Sequence, residues 1–185
     1  MRILIVDDHE LVRQGLRALL EPEAGMVVVG EAGDGQEAIR RVRSAHPDIV
    51  LMDLNLPGGL GGLEVTEAVL REHPEVKVIV LTQYEDREYV RRALKIGARG
   101  YLPKRCAASE LKEALRAVAA GRRYLHPTAA AELAELVATG RPLDEDDYDS
   151  LTPREKQVFK LLAEGKTSRD IAKYLGISLK TSITH

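Results

Sequence analysis

Apolar residues along the chain fall in short unbroken blocks, each followed by a stretch with helical spacing. The blocks Ile3–Val6, Met26–Gly30, Ile49–Met52, Val76–Leu81 and Gly100–Leu102 predict five strands with both faces buried. Between and after them, helices are predicted over Leu11–Leu20, Gln36–Ser44, Leu63–Leu70, Arg87–Ile96 and Ser109–Ala119. Val12, Leu16, Leu19 and Leu20 share one helical face, as do Leu111, Leu115 and Val118. Repeated strand–helix units predict an α/β domain over residues 1–120: a five-stranded parallel sheet covered on both faces, joined by right-handed crossovers.

The strands end in polar residues. Ile3–Val6 runs into Asp7-Asp8, and Ile49–Met52 into Asp53. Thr82 follows the fourth strand, and Lys104 comes shortly after the fifth. Open α/β sheets bind ligands at the carboxyl ends of their strands. Several strand orders suit five repeats, but 2-1-3-4-5 sets strands one and three side by side and brings Asp7, Asp8 and Asp53 together. Like charges so close oppose one another's ionisation, and a hard cation such as Mg²⁺ would relieve them. Three carboxylates, a hydroxyl and a lysine suit phosphoryl transfer. A carboxylate is the nucleophile, while a divalent ion and a lysine offset charge on the transferred oxygens. Taken singly, an Asp or Thr after a strand is more often a helix cap.

The pattern changes after residue 120. Residues 121–148 read as an acidic linker with a short Ala-rich helix over Thr128–Val137, broken by Gly140, Pro142 and Asp144-Glu145-Asp146-Asp147. A second, all-helical unit occupies 149–185. Thr152-Pro153 with Glu155 starts one helix, Gly165 ends it, Thr167 or Ser168 caps the next, Gly176 breaks that, and Ser178 caps a third. Helix, glycine turn, helix is the helix-turn-helix pattern. The formal net charge of −2 hides a gradient: residues 150–185 carry 7 Lys/Arg against 3 Asp/Glu. A basic tail behind an acidic linker hints at a phosphate-rich partner.

Other classes fit less well. Cys106 is the one cysteine, so an intramolecular disulfide is impossible. It reads as a small packing residue. No secretory leader opens the chain and no apolar run reaches the roughly 18 residues that span a bilayer, so no membrane partner and a cytoplasmic location are expected. Gly30–Gly35 follows the second strand and lacks dinucleotide-loop spacing. His9 reads as a solvent-facing residue or the start of the first helix; His46, His73 and His126 read as surface residues.

Residues 1–120 resemble the receiver domain of bacterial two-component response regulators, on Val6-Asp7-Asp8-His9, Met52-Asp53-Leu54, Pro57, Leu81-Thr82 and Gly100-Tyr101-Leu102 with Lys104. Residues 149–185 resemble the start of the LuxR-type helix-turn-helix domain, on Leu151–Glu155, Leu162–Gly165, Ile171-Ala172, Leu175–Ser178 and Lys180-Thr181 with His185. Together they point to the NarL/FixJ subfamily. The resemblance implies a flavodoxin-like receiver fold and a function as a phosphorylation-controlled transcription regulator. It further implies that Asp53 accepts a phosphoryl group from a sensor histidine kinase. Asp8 would bind Mg²⁺ directly and Asp7 chiefly through water, with Asp53 and the Asn55 backbone carbonyl as further ligands. Thr82 and Lys104 would hold phosphoryl oxygens, and Tyr101 would couple Asp53 to the fourth-helix surface. A homodimer on phosphorylation and double-stranded DNA are the implied partners, the latter if the full C-terminal domain is present. Beyond self-phosphorylation and slow self-dephosphorylation, no enzyme activity is implied.

Three departures from the family pattern stand out. The loop Pro57-Gly58-Gly59-Leu60-Gly61-Gly62 is one residue longer than usual and rich in glycine, which raises the cost of ordering it. Pro103 precedes Lys104, where leucine is common. The sequence reaches His185 about two turns into the third helix, which leaves Lys180, Thr181, Thr184 and His185 as candidate DNA contacts. This last departure keeps a second reading open, a phosphorelay or interaction module without DNA output. A phosphatase acting on small molecules is a third, but it needs a substrate cap domain that the sequence does not contain.

Overall fold

The computed structural model describes residues 1–83, 87–127 and 129–130. In order they form β1 (Arg2–Val6), α1 (Glu10–Leu20), β2 (Val27–Ala32), α2 (Gly35–Ala45), β3 (Ile49–Met52), α3 (Gly62–Glu72), β4 (Lys77–Thr82), α4 (Arg87–Lys95), β5 (Gly100–Pro103), α5 (Ala108–Ala119) and β6 (Tyr124–Leu125). The sheet is parallel throughout, in the order β2-β1-β3-β4-β5-β6.

The strands are apolar at successive positions because each face of the sheet has its own core. In β1, Ile3 and Ile5 pack with Leu20 of α1 and Leu111, Leu115 and Val118 of α5. Their neighbours Leu4 and Val6 point the other way, onto Ala38 and Val42 of α2 and Val65 and Val69 of α3. This is the period of two on a doubly covered sheet. β3 follows it too, with Ile49 and Leu51 on the first face and Val50 and Met52 on the second. Burying a Leu or Ile side chain in such a core contributes about 1.5–3 kcal/mol.

The five expected strands are present in the expected order, but the sheet has a sixth strand. Tyr124 and Leu125 pair with Gly100 and Tyr101, and the Tyr124 N–H donates to the Arg99 carbonyl at 2.9 Å. Two residues are too few to carry a periodic signal, and the strand falls in the span read as linker. The first unit accordingly runs Met1–Leu125 rather than ending at residue 120; the second unit is His126–His185. In the second unit, the Ala130 N–H donates to the His126 carbonyl at 3.0 Å. The rest of the expected short helix, the acidic run and the three helices of 149–185 lie outside the described residues.

The β3–α3 loop passes close to Asp53. Gly58 and Gly59 take left-handed backbone angles, with φ of 90° and 88°. At its end the Gly62 N–H donates to the Leu54 carbonyl at 2.9 Å. A Cβ on Gly62 would lie 1.9 Å from the Asp53 carbonyl oxygen. The end of this glycine-rich loop is therefore pinned against the backbone of the site.

Candidate functional site

Asp7, Asp53, Thr82 and Lys104 all sit at or just past the carboxyl ends of neighbouring strands. Parallel pairing of β1 with β3 brings Val6 level with Met52, and the Asp53 N–H donates to the Val6 carbonyl at 2.9 Å. That bond sets the first carboxylate of β3 beside those of β1. On the other side Thr82 pairs with Pro103, and the Lys104 N–H donates to the Thr82 carbonyl at 2.7 Å. Pro103 closes β5 in register, so the turn bearing Lys104 leaves the strand at a fixed angle.

Lys104 points into the acidic group. Its Nζ lies 2.6 Å from Asp7 Oδ2 and 2.7 Å from Asp53 Oδ2. Both carboxylates are buried, at 2% and 3% exposure, where an unpaired charge is costly. Sharing one ammonium leaves each with less than a full partner. Burial pushes the Asp53 carboxyl above the usual range; the hydrogen bond and charge of Lys104 oppose this, the charge of Asp7 adds to it, and the Asn55 N–H opposes it. For Lys104, burial acts to lower the pKa, but hydrogen bonds to Asp53 and Asp7 prevail and hold it above the ordinary lysine value. Both groups therefore hold their protons more tightly than usual, Asp53 because burial outweighs its share of one lysine and Lys104 because it has two carboxylates beside it.

Asp8 lies nearer solvent, and the structure adds a residue left out of the site on sequence. His9 is the N-cap of α1, as one of its two sequence readings had it. Its Nδ1 also stands 2.6 Å from Asp8 Oδ1, and its N–H donates to Asp7 Oδ1 at 2.9 Å. One ligand atom from each of Asp7, Asp8, His9 and Asp53 lies within 4.8 Å of all the others. Ligands on opposite sides of a Mg²⁺ ion are about 4.2 Å apart, twice a bond of about 2.1 Å. The donors are therefore nearly at coordination spacing, and three are the hard oxygens this ion prefers. Among the described residues, the group also carries more negative charge than Lys104 offsets.

Thr82 is fully buried and Tyr101 is 1% exposed. Tyr101 sits in the middle of β5 against Val80. Asn55 is exposed, two residues past Asp53. Lys180, Thr181, Thr184 and His185 lie outside the described residues. Burial and the neighbouring Glu110 push the Cys106 thiol up to about 11, which fits a packing residue and not a nucleophile.

The model for the response regulator receiver domain family matches residues 3–116, and the model for bacterial regulatory proteins of the luxR family matches 149–185. The chain belongs to the NarL/FixJ-type response regulators. It is 38% identical to the response regulator GacA of Pseudomonas viridiflava over 185 residues, covering 100% of this chain and 86% of GacA. A crystal structure of a LuxR-family two-component response regulator from Aurantimonas sp. SI85-9A1 is 41% identical, with a TM-score of 0.71 over 74% of this chain and 97% of that one. A structure of two RcsB dimers bound to two parallel DNAs is 28% identical, with a TM-score of 0.69 over 97% of this chain and 85% of that one. As a response regulator, the protein receives a phosphoryl group at its aspartate cluster with Mg²⁺ as cofactor. The same cluster is of the kind at which response regulators undergo their own phosphorylation and dephosphorylation. Among the described residues, no helix of the response regulator is long and apolar enough to cross a membrane.

Proposed function

We infer that Asp53 is the phosphoacceptor and that its modification controls DNA binding. The observation that carries this is the buried Asp53 carboxylate, held 2.7 Å from Lys104 within a cluster of metal-spaced donors. A carboxylate oxygen of Asp53 forms the new P–O bond as the P–N bond to a kinase phosphohistidine breaks. The imidazole leaves with that electron pair and regains a proton from solvent. Lys104 stays charged, because its two carboxylates hold its pKa up, and it can move from Asp53 to the phosphoryl oxygens. The Thr82 hydroxyl supplies a further hydrogen bond. Mg²⁺, when bound, offsets negative charge on the phosphoryl oxygens. Asp8 would hold it directly and Asp7 chiefly through water, and Asp53 with the Asn55 backbone carbonyl would complete the protein's share.

The output passes through a surface, because Asp53 and the tail are separate parts of the chain. Thr82 moves toward the phosphoryl group, Tyr101 takes up the space behind it, and the surface of α4 changes. We read the consequence as homodimerisation, which suits paired half-sites on double-stranded DNA. The RcsB dimers on DNA support this reading, as does the luxR-family match over 149–185. Lys180, Thr181, Thr184 and His185 are the proposed DNA contacts, a sensor histidine kinase the proposed donor, and the cytoplasm the proposed location.

The test is sedimentation of the whole chain with and without beryllofluoride, paired with label incorporation from a small phosphodonor. Label on the wild type, none on Asp53→Asn, and a mass that doubles with beryllofluoride are expected. Complete modification of Asp53 with no change of mass would remove dimerisation as the switch. Label retained by Asp53→Asn would remove Asp53 as the acceptor.

A further inference from the structure

The main-chain carbonyl of Asp7 lies beyond the pairing of β1. That ladder ends at Val6, level with Ala32 on one side and Met52 on the other, and α1 starts only at Glu10. In place of a backbone donor, this carbonyl accepts a hydrogen bond from an Arg13 Nη at 2.7 Å. Arg13 is itself held from β2, where its Nε donates to Glu31 at 3.2 Å. The other oxygen of Glu31 accepts from Arg17 Nε at 2.6 Å. Arg13 and Arg17 are four residues apart and share a face of α1, but only Arg13 reaches the turn after β1. Its side chain is 17% exposed.

We propose that Arg13 is a positioning residue of the metal site, aiming the Asp7 and Asp8 carboxylates at Asp53. This rests on reading the aspartate cluster as the Mg²⁺ and phosphoryl site. The peptide joining Asp7 to Asp8 is planar and rigid. Fixing its oxygen with a guanidinium fixes the plane and hence the direction in which Asp8 leaves it. Asp7 is then held at both ends, since its N–H donates to the Ala32 carbonyl at 3.1 Å. Glu31 has a matching task. An unbalanced guanidinium beside the cluster would repel a divalent cation, and the Glu31 carboxylate cancels that charge while holding the side chain in place. Groups that orient metal ligands in this way set affinity, and their loss typically costs about 10–100-fold.

The experiment is calorimetric titration of the whole chain with MgCl₂, run beside the Mg²⁺ dependence of phosphorylation by acetyl phosphate. Arg13→Met and Glu31→Gln should weaken Mg²⁺ binding about tenfold, and Arg13→Lys should recover part of the loss. Arg17→Met, which also breaks a bond to Glu31 but touches nothing in the site, should stay near wild type. In Arg13→Met the Mg²⁺ concentration for half-maximal phosphorylation should rise about as much as the affinity falls, while the rate at saturating Mg²⁺ changes far less. A merely structural Arg13 would lower the urea midpoint of Arg13→Met and Arg17→Met alike and leave both affinities alone; that result overturns the proposal. Should Arg13→Met not fold, unchanged affinity in Glu31→Gln overturns it equally. Wild type that binds no Mg²⁺ sinks this inference together with the site reading. Binding lost in Asp8→Asn but kept in Arg13→Met and Glu31→Gln sinks this inference alone.

Discussion

The Lys104 ammonium sits 2.7 Å from the Asp53 carboxylate, and the same nitrogen is 2.6 Å from Asp7. The acceptor carboxylate thus lies in a buried place beside a cation it does not own outright. That compromise has consequences for stability as well as chemistry.

Asp53→Asn should abolish phosphorylation and raise the melting temperature by a few degrees, about what 1 kcal/mol gives in a domain of this size. The sign follows from the raised carboxyl pKa. A group bound to its proton more tightly in the folded state favours folding below its unfolded pKa, and that contribution is lost as pH rises through the folded value. Ionised Asp53 is therefore a burden at neutral pH. Urea melts of both proteins should differ most near pH 7 and converge toward pH 4; a constant gap would show that burial of this charge is not the cause.

Lys104→Met should act in the opposite direction. It leaves two buried carboxylates without their shared cation, and losing one partner of a buried pair costs about 3–5 kcal/mol. The deficit should shrink in acid, once the carboxylates are protonated. Phosphorylation should slow by about 10²–10³, the usual penalty for removing one group that stabilises developing charge. Guanidinium melts at two pH values, with acetyl phosphate kinetics at saturating Mg²⁺, check both parts.

Asp8→Asn should separate metal binding from folding. Asp8 is the most open carboxylate of the three, so the stability change should stay within about 0.5 kcal/mol. Label incorporation should fall sharply at low Mg²⁺. Equal incorporation by Asp8→Asn and wild type across a Mg²⁺ titration would remove Asp8 from the ligand set.

Gly62→Ala should damage the site from outside it. The added Cβ meets the Asp53 carbonyl oxygen at 1.9 Å, so either the loop or the acceptor's backbone must yield. Overpacking of this kind costs about 1–3 kcal/mol. Phosphorylation should slow even at saturating Mg²⁺, which separates this variant from Arg13→Met. Chemical melts and rates at saturating Mg²⁺ read the two effects.

Much of this arrangement could be read from the chain because its signals are local. Ile3–Val6 and Ile49–Met52 are apolar blocks that end in acid, and strand order alone then brings Asp7 and Asp53 together. Lys104 and Thr82 were legible for the same reason, since each marks a strand end. His9 was not, because its role in the cluster depends on the turn into α1 folding its ring back toward Asp8. Arg13 and Glu31 were equally hidden: helix spacing shows that Arg13 and Arg17 are neighbours, but not that one residue of β2 stands opposite both. Gly62 was visible only as part of a glycine-rich loop, where spacing does not reveal which glycine lies against Asp53. Tyr124-Leu125 had no pattern to offer, since its partner is 24 residues earlier in β5.

That last strand also shapes how the chain leaves the domain. Leu125 is in register with Tyr101, and Tyr101 is three residues before Lys104. Three strand residues span about 10 Å. The chain therefore departs from the domain stitched to the same ribbon that carries the site's lysine. A shift of β5 along its length would thus be felt at Leu125 as well as at Lys104.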